Sequence, residues 1–298
     1  MSGALTENAI TLIITAGAAQ DNFTPPTFGP NNANTLTLEG YQVSVSISIA
    51  PPGMVSAEIS ISNLDEKTMN ELTTYAPYFY GFTKNTVTIL AGDNVSGMSQ
   101  IFVGNIATAF ANFAAMPDPQ FNITAILGLD ASLNPVPPTS FSGPVNVATV
   151  MQQLANVVGA KFENNGVTTV ISNPYLPFSA WDQIKALAKA ANINWVYDNG
   201  TLAIWPLNGQ RASAVPLVSP DTGLVGYPSF TQFGVNFRTR FNSAITFGGL
   251  VQIQSSLQAA CGQRRVYVMD YSLETQVPDG DWFQDVQTTN LNGLAFGQ

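Results

Sequence analysis

The residues of this 298-residue chain whose types and spacing could do chemistry are Asp279, Asp281 and Asp285 in the run PDGDWFQD, beside Trp282. Two carboxylates about 5–10 Å apart suffice for glycoside hydrolysis, one as general acid and the other as base or nucleophile. The same residues lack the twelve-residue spacing and closing Glu of a calcium loop, so no metal is assigned to them. Pro278-Asp279-Gly280 is also turn chemistry, and polar turn tips are ordinarily solvated. The turn reading is preferred, and no catalytic residue is named.

The rest of the sequence narrows the chemistry further. It contains no His, which removes the commonest general base, the Ser-His-Asp and Cys-His constellations and nearly all zinc sites. Cys261 is the single cysteine, so an internal disulfide and a thiolate metal cluster are both excluded. No glycine-rich phosphate loop joins a strand to a helix. Asp65, Gly92, Asp93 and Gly104 read as turn and cap residues. The expectation is a protein that is not an enzyme and carries no cofactor and no metal.

Contact surfaces are a better use of the remaining side chains. Arg238 and Arg240 share one strand face, and Arg264-Arg265 lies near a turn; they either pair with acidic groups of a neighbouring subunit or decorate a solvated face. Tyr75, Tyr78, Phe79, Tyr80 and Phe82 crowd one loop, either as an exposed partner surface or as a buried loop core.

The elements that hold these residues follow from periodicity. Tyr41, Val43, Val45, Ile47 and Ile49 alternate with Gln42, Ser44, Ser46 and Ser48, a half-buried strand. Beyond the Pro51-Pro52-Gly53 turn, Val55, Ala57, Ile59 and Ile61 repeat the pattern as an antiparallel neighbour. Asn63 is read as the cap of a short helix with Met69 and Leu72 inward, ending near Tyr75. Strands are expected at Leu5–Thr15, Thr86–Ala91, Gln100–Phe113 and Phe121–Leu127. Prolines 135, 137 and 138 mark a boundary. A helical stripe of Val147, Val150, Met151, Leu154, Val157 and Val158 follows, opened by Pro144 and closed by Gly159. Short strands at Lys161–Glu163 and Val167–Ile171 are joined at Asn165-Gly166. Ser179 and Asp182 cap a second helix whose inner face is Trp181, Ile184, Leu187, Ala188 and Ala191. A hairpin turns at Asp198-Asn199-Gly200, and β patterning returns from Val215, with strands at Val235–Phe241, Leu250–Gln254 and Val266–Tyr271.

Hydrophobic residues make up 45% of the chain and charged ones only 10%, so Ser, Thr, Asn and Gln must cover the surface. Such a surface fits either obligate assembly or a polar, stress-tolerant exterior. A net charge of −9 provides no source for binding nucleic acid by counterion release. No apolar stretch reaches the ~20 residues of a membrane span, and the N-terminus lacks the form of an export signal.

Several runs taken in order resemble a known family: VSAEISISNLDEKTMNELT (55–73), NTVTILAGD (85–93), IFVGNI (101–106), FNITAILG (121–128), PVNVATVMQQLANVVGAKF (144–162) and SPDTGLVGYPSFTQFGVNFRTRFNSAITFGGLVQIQSS (219–256). They resemble the baseplate hub proteins of contractile bacteriophage tails, related to the hub part of type VI secretion spike proteins. The likeness spans about Leu36 to Trp282. The final segment departs from it, because family members often carry a His before the Trp-containing strand and this chain has none.

The resemblance implies a mainly β chain with an α/β insert, in which two tube-like antiparallel β-barrel domains (1–134 and 215–298) flank a small two-helix α/β domain (135–214). It further implies a homotrimeric, pseudo-sixfold ring that adapts the sixfold tail tube protein above to a trimeric spike protein below. Other baseplate wedge proteins would surround the ring. The location implied is the virion tail baseplate, assembled in the host bacterial cytoplasm, with DNA only passing through the lumen. Three chains at −9 would give a ring of roughly −27, repelling phosphates from the channel wall. Phe79, Tyr80, Arg238, Arg240 and Trp282 are the expected interface residues. Two alternatives stay open: a carbohydrate-binding β module, suggested by scattered Trp and Tyr, and a carboxylate-dependent glycosidase.

Overall fold

Polar–apolar alternation makes half-buried strands, and stretches such as Gln42–Ile49, Ser56–Ser62 and Gln120–Ile126 follow it: the protein is mainly β. The computed structural model describes residues 7–17, 34–50, 55–73 and 85–290. The aromatic run 75–82, with Phe79 and Tyr80, and the Pro51-Pro52-Gly53 turn lie outside the described residues. The chain divides into two compact units: Met1–Ser48, Val55–Leu127 and Tyr271–Phe283 form the first, and Ile49–Met54, Gly128–Asp270 and Gln284–Gln298 the second.

The first unit contains β1 (Asn8–Thr15), β2 (Thr35–Leu38), β3 (Gln42–Ile49), β4 (Ser56–Ser62), α1 (Glu66–Leu72), β5 (Thr86–Asp93), β6 (Gly97–Asn112) and β7 (Gln120–Ile126). Its strands run antiparallel in the order β3-β4-β7-β6-β5-β1-β2. The register sets Val43, Val45 and Ile47 opposite Ile61, Ile59 and Ala57, and these opposite Phe121, Ile123 and Ala125. All nine are at most 2% exposed, so one sheet face is a continuous apolar layer. The cap of α1 is Asp65, whose carboxylate accepts from the Thr68 N–H at 2.9 Å; Asn63, expected in that role, instead sits at φ 61° two residues earlier.

The second unit opens with α2 (Leu129–Leu133), β8 (Thr139–Ser140), β9 (Pro144–Asn146), α3 (Val147–Val157), β10 (Lys161–Asn164), β11 (Val170–Ser172), β12 (Tyr175–Leu176), α4 (Ala180–Ala191), β13 (Ile193–Asp198) and β14 (Thr201–Pro206). Ser179 caps α4 as expected, accepting from the Asp182 N–H, and the five expected inner residues are buried. α3 departs from expectation at both ends. Asn146 caps it while Pro144 lies in β9, and Val157 is 56% exposed while Ala155 takes the buried position. β10 and β11 are not partners: β10 pairs in parallel with β14, and β11 pairs with β9. The turn at Asn199 (φ 48°) and Gly200 (φ 74°) needs two left-handed residues, which is why Asn-Gly closes the β13–β14 hairpin.

The same unit continues with β15 (Leu217–Val218), β16 (Leu224–Phe230), β17 (Gly234–Arg240), β18 (Leu250–Ile253), β19 (Gly262–Thr275) and β20 (Trp282–Thr289), in the order β16-β17-β20-β19-β18-β15. The unit boundary falls inside β19 and again inside β20; Tyr271–Thr275 of β19 borders β3 in the first unit. Among the described residues the strand order ends at β2, at β16 and, on a branch from β19 through β18, at β15, and it does not return on itself to close a barrel.

Candidate assembly and channel surfaces

The strand pairing that buries Val45 and Ile59 turns their neighbours to the opposite face. There Ser44 faces Ser60, Ser46 faces Glu58, and Ser60 and Glu58 face Asn122 and Thr124. Ser44, Ser46, Glu58, Ser60, Asn122 and Thr124 line an open depression of about 260 Å³. The Ser44 hydroxyl reaches Glu274 Oε1 at 3.3 Å, which carries the same polar face onto β19. No Lys or Arg occurs in β1 to β7 or in Tyr271–Thr275, whereas Glu58, Asp93 and Glu274 do. Short hydroxyls and amides with Glu58 and Glu274 make this face polar and acidic.

The carboxylate cluster is dispersed by its own partners. Asp279, at φ 54°, is an exposed turn residue. Asp281 accepts from the Ser272 hydroxyl at 3.3 Å, and its backbone N–H donates to Glu274. Asp285 is held by Arg238 through two hydrogen bonds, Nε at 2.8 Å and Nη2 at 2.7 Å. Both side chains are nearly half exposed, so the pair contributes at most about 1 kcal/mol. Arg240 is exposed beyond it on β17. Trp282, at the start of β20, is half-buried. Trp181 and Trp205 are 2% and 1% exposed, so neither offers a stacking face for a sugar.

Arg264 and Arg265 do not lie together on a solvated face. Arg264 Nε and Nη2 donate to the carbonyls of Ala260 and Ala259. Arg265 is 1% exposed and donates to the carbonyls of Leu207 and Gly209, and burial pushes its pKa down. The segment that receives it is also anchored through its own Arg211. Arg211 binds Glu163 at 3.1 Å and Asp198 at 3.0 Å, its backbone N–H donates to the Gly248 carbonyl, and Trp205 packs edge-on against Phe247. Two arginines thus clasp the stretch 207–211, one from β19 and one anchored in the α/β region. The residue types were visible in the sequence; the carbonyls and carboxylates they reach were not. Burial pushes the Asp198 carboxyl up, against the pull of Arg211, and Arg211 itself is held above its ordinary value because its two carboxylates outweigh its burial.

The sequence matches the family described as Baseplate hub gp41 over residues 27–279. The chain belongs to that family. Its role is accordingly structural, in the baseplate of a phage tail. No curated protein sequence matches it. Solved structures similar to it include the 43 kDa tail protein of prophage MuSo2 from Shewanella oneidensis, at 7% identity and TM-score 0.62, covering 96% of this chain and 99% of that one. A tail protein from Neisseria meningitidis MC58 follows at 8% identity and TM-score 0.60, covering 95% and 97%. The E. coli c3393 protein, a component of the type VI secretion system, matches at 6% identity and TM-score 0.51, covering 85% and 75%. At these identities the likeness is one of fold. No helix among the described residues is long and apolar enough to cross a membrane.

Proposed function

We propose that three copies of this chain close into a pseudo-sixfold ring that joins the sixfold tail tube to a trimeric spike, with DNA passing through its lumen. In this reading the chain comprises two β domains, 1–134 and 215–298, around the α/β insert 135–214. The observation that carries it is the pairing of family membership with the polar face of β3, β4 and β7, whose strands hold one acidic residue, Glu58, and no Lys or Arg. A channel wall of that kind repels phosphates and lets a genome slide. The strand edges at β2 and β16, which have no further neighbour among the described residues, support ring closure, because closed point symmetry is the way an assembly covers such edges. In the ring, two tube-like barrels per chain complete one another across copies. Arg238, Arg240 and Trp282, with Phe79 and Tyr80, are the side chains proposed to meet neighbouring chains. The ring would assemble in the bacterial cytoplasm and end in the tail baseplate beside wedge proteins. Electron-microscope class averages of the purified protein test this. Hollow rings with threefold symmetry are expected; a uniform population of monomers would overturn the reading.

A further inference from the structure

The charges are divided unevenly between the two units. Among the described residues the first unit carries eleven acidic residues and one basic, Lys67, a balance of −10; the second carries seven acidic and eight basic, a balance of +1. Asp21 and Lys84, outside the described residues, cancel, so the whole chain's net charge is likewise −9. A contact that brings first unit against first unit sets −10 against −10, whereas first against second sets −10 against a surface that is neutral to basic. The partition therefore favours a contact of first unit against second over one of first unit against first.

The second unit also offers an apolar anchor at one sheet edge. β16 ends the strand order, and on it Tyr227 is 75% and Phe230 58% exposed. Large apolar side chains left this open on an edge strand mark an interaction surface. The backbone there is not built to extend the sheet. The β16–β17 register breaks between Val225 and Ser229, Gly226 sits at φ 67°, and Pro228 has no N–H to donate. The irregularity turns Tyr227 outward and leaves the side chains, not a strand ladder, to make the contact. On the neighbouring strand Arg240 is exposed, with no acidic partner among the described residues.

From these observations we infer that the β16 edge, through Tyr227, Phe230 and Arg240, docks against the acidic first unit of a second copy of the chain. This rests on the ring reading and specifies its contact. The aromatic pair supplies the desolvated centre, and Arg240 with the overall charge difference supplies orientation.

The full-length protein with p-benzoylphenylalanine at position 227 tests the contact directly. Isotopically labelled and unlabelled copies are mixed, irradiated and digested, so that cross-links between copies are distinguished by mass. Adducts in residues 7–48, 55–127 or 271–283 are expected; adducts confined to 128–270 or 284–290 would overturn the inference. Sedimentation of the double variant Tyr227→Ser, Phe230→Ser gives the energetic arm, with circular dichroism melting to establish that it folds. Assembly about thirtyfold weaker is expected, as for loss of a hot-spot pair, together with wild-type assembly that weakens as salt rises. Unchanged assembly of a folded double variant would overturn the docking site and leave the ring standing. A wild-type protein that is monomeric at every concentration would overturn both.

Discussion

Replacing Arg211 with Met removes the guanidinium and keeps the apolar stem. Arg211 donates from Nε to both Glu163 oxygens at 3.2 Å and from Nη1 to Asp198 Oδ2 at 3.0 Å. The Arg211 and Asp198 side chains are 12% and 13% exposed, Glu163 33%. The variant strands a nearly buried Asp198 without its cation, a loss that costs roughly 3–5 kcal/mol in comparable sites. Protonation of Asp198 gives it an escape, which sets the expectation at the lower end, about 3 kcal/mol at pH 7. For a domain of this size that lowers Tm by about 6–12 °C.

The loss is expected to depend on pH. Burial already raises the Asp198 carboxyl, and loss of Arg211 raises it further; a raised folded-state pKa destabilises as pH climbs above the unfolded value. Burial also works to raise Glu163, but hydrogen bonds from Arg211 and Asn165 outweigh it and hold that pKa down, a stabilisation present at neutral pH and lost on acidification. Both effects shrink the difference between wild type and variant as pH falls. Differential scanning calorimetry at pH 7 and at pH near 4 measures it. A Tm drop under about 2 °C at neutral pH, or a larger drop at acid pH, would refute the reasoning.

Other substitutions probe the fold and the two surfaces. A Cβ on Gly234 would lie 2.0 Å from the Thr288 carbonyl oxygen, so Gly234→Ala should force β17 from β20 and cost about 1–3 kcal/mol by chemical denaturation. Phe121→Ala, at a wholly buried position, should cost about 3–5 kcal/mol in the same assay. Lysines at Ser46 and Ser60 should leave melting unchanged yet lower the fraction of assembled particles that deliver DNA; full delivery would count against a channel wall at this face. Phe79→Ser with Tyr80→Ser should weaken assembly of a folded chain, whereas loss of the folded monomer would place those rings in a loop core.

The β3–β4 hairpin was legible because every second residue is apolar and every apolar one is buried. α4 was equally plain, since Ser179 and Asp182 form a local cap and five inward residues fall at helical spacing. α3 was harder: Val157 and Val158 extend the apolar run, and only packing leaves Val157 outside. Asn63 and Asp65 are both good caps by type, and the two-residue slip was settled by the backbone at Asn63 turning left-handed. β2 is four residues long and leaves little pattern to read. Arg265 was opaque for a different reason. Arg265 and Val266 are buried in succession, which means both sheet faces are covered there, and a dibasic pair gives no local sign of that. The charge partition was also hidden, because two of the boundaries between units fall inside strands, β19 and β20, where no linker marks them.

The most direct test of the account is a reconstruction of the intact tail tip with this chain traced in it. Three copies encircling the axis where the tube meets the spike, with Ser46, Glu58 and Ser60 facing the lumen, are predicted. A different copy number, or a location away from the central channel, would contradict it.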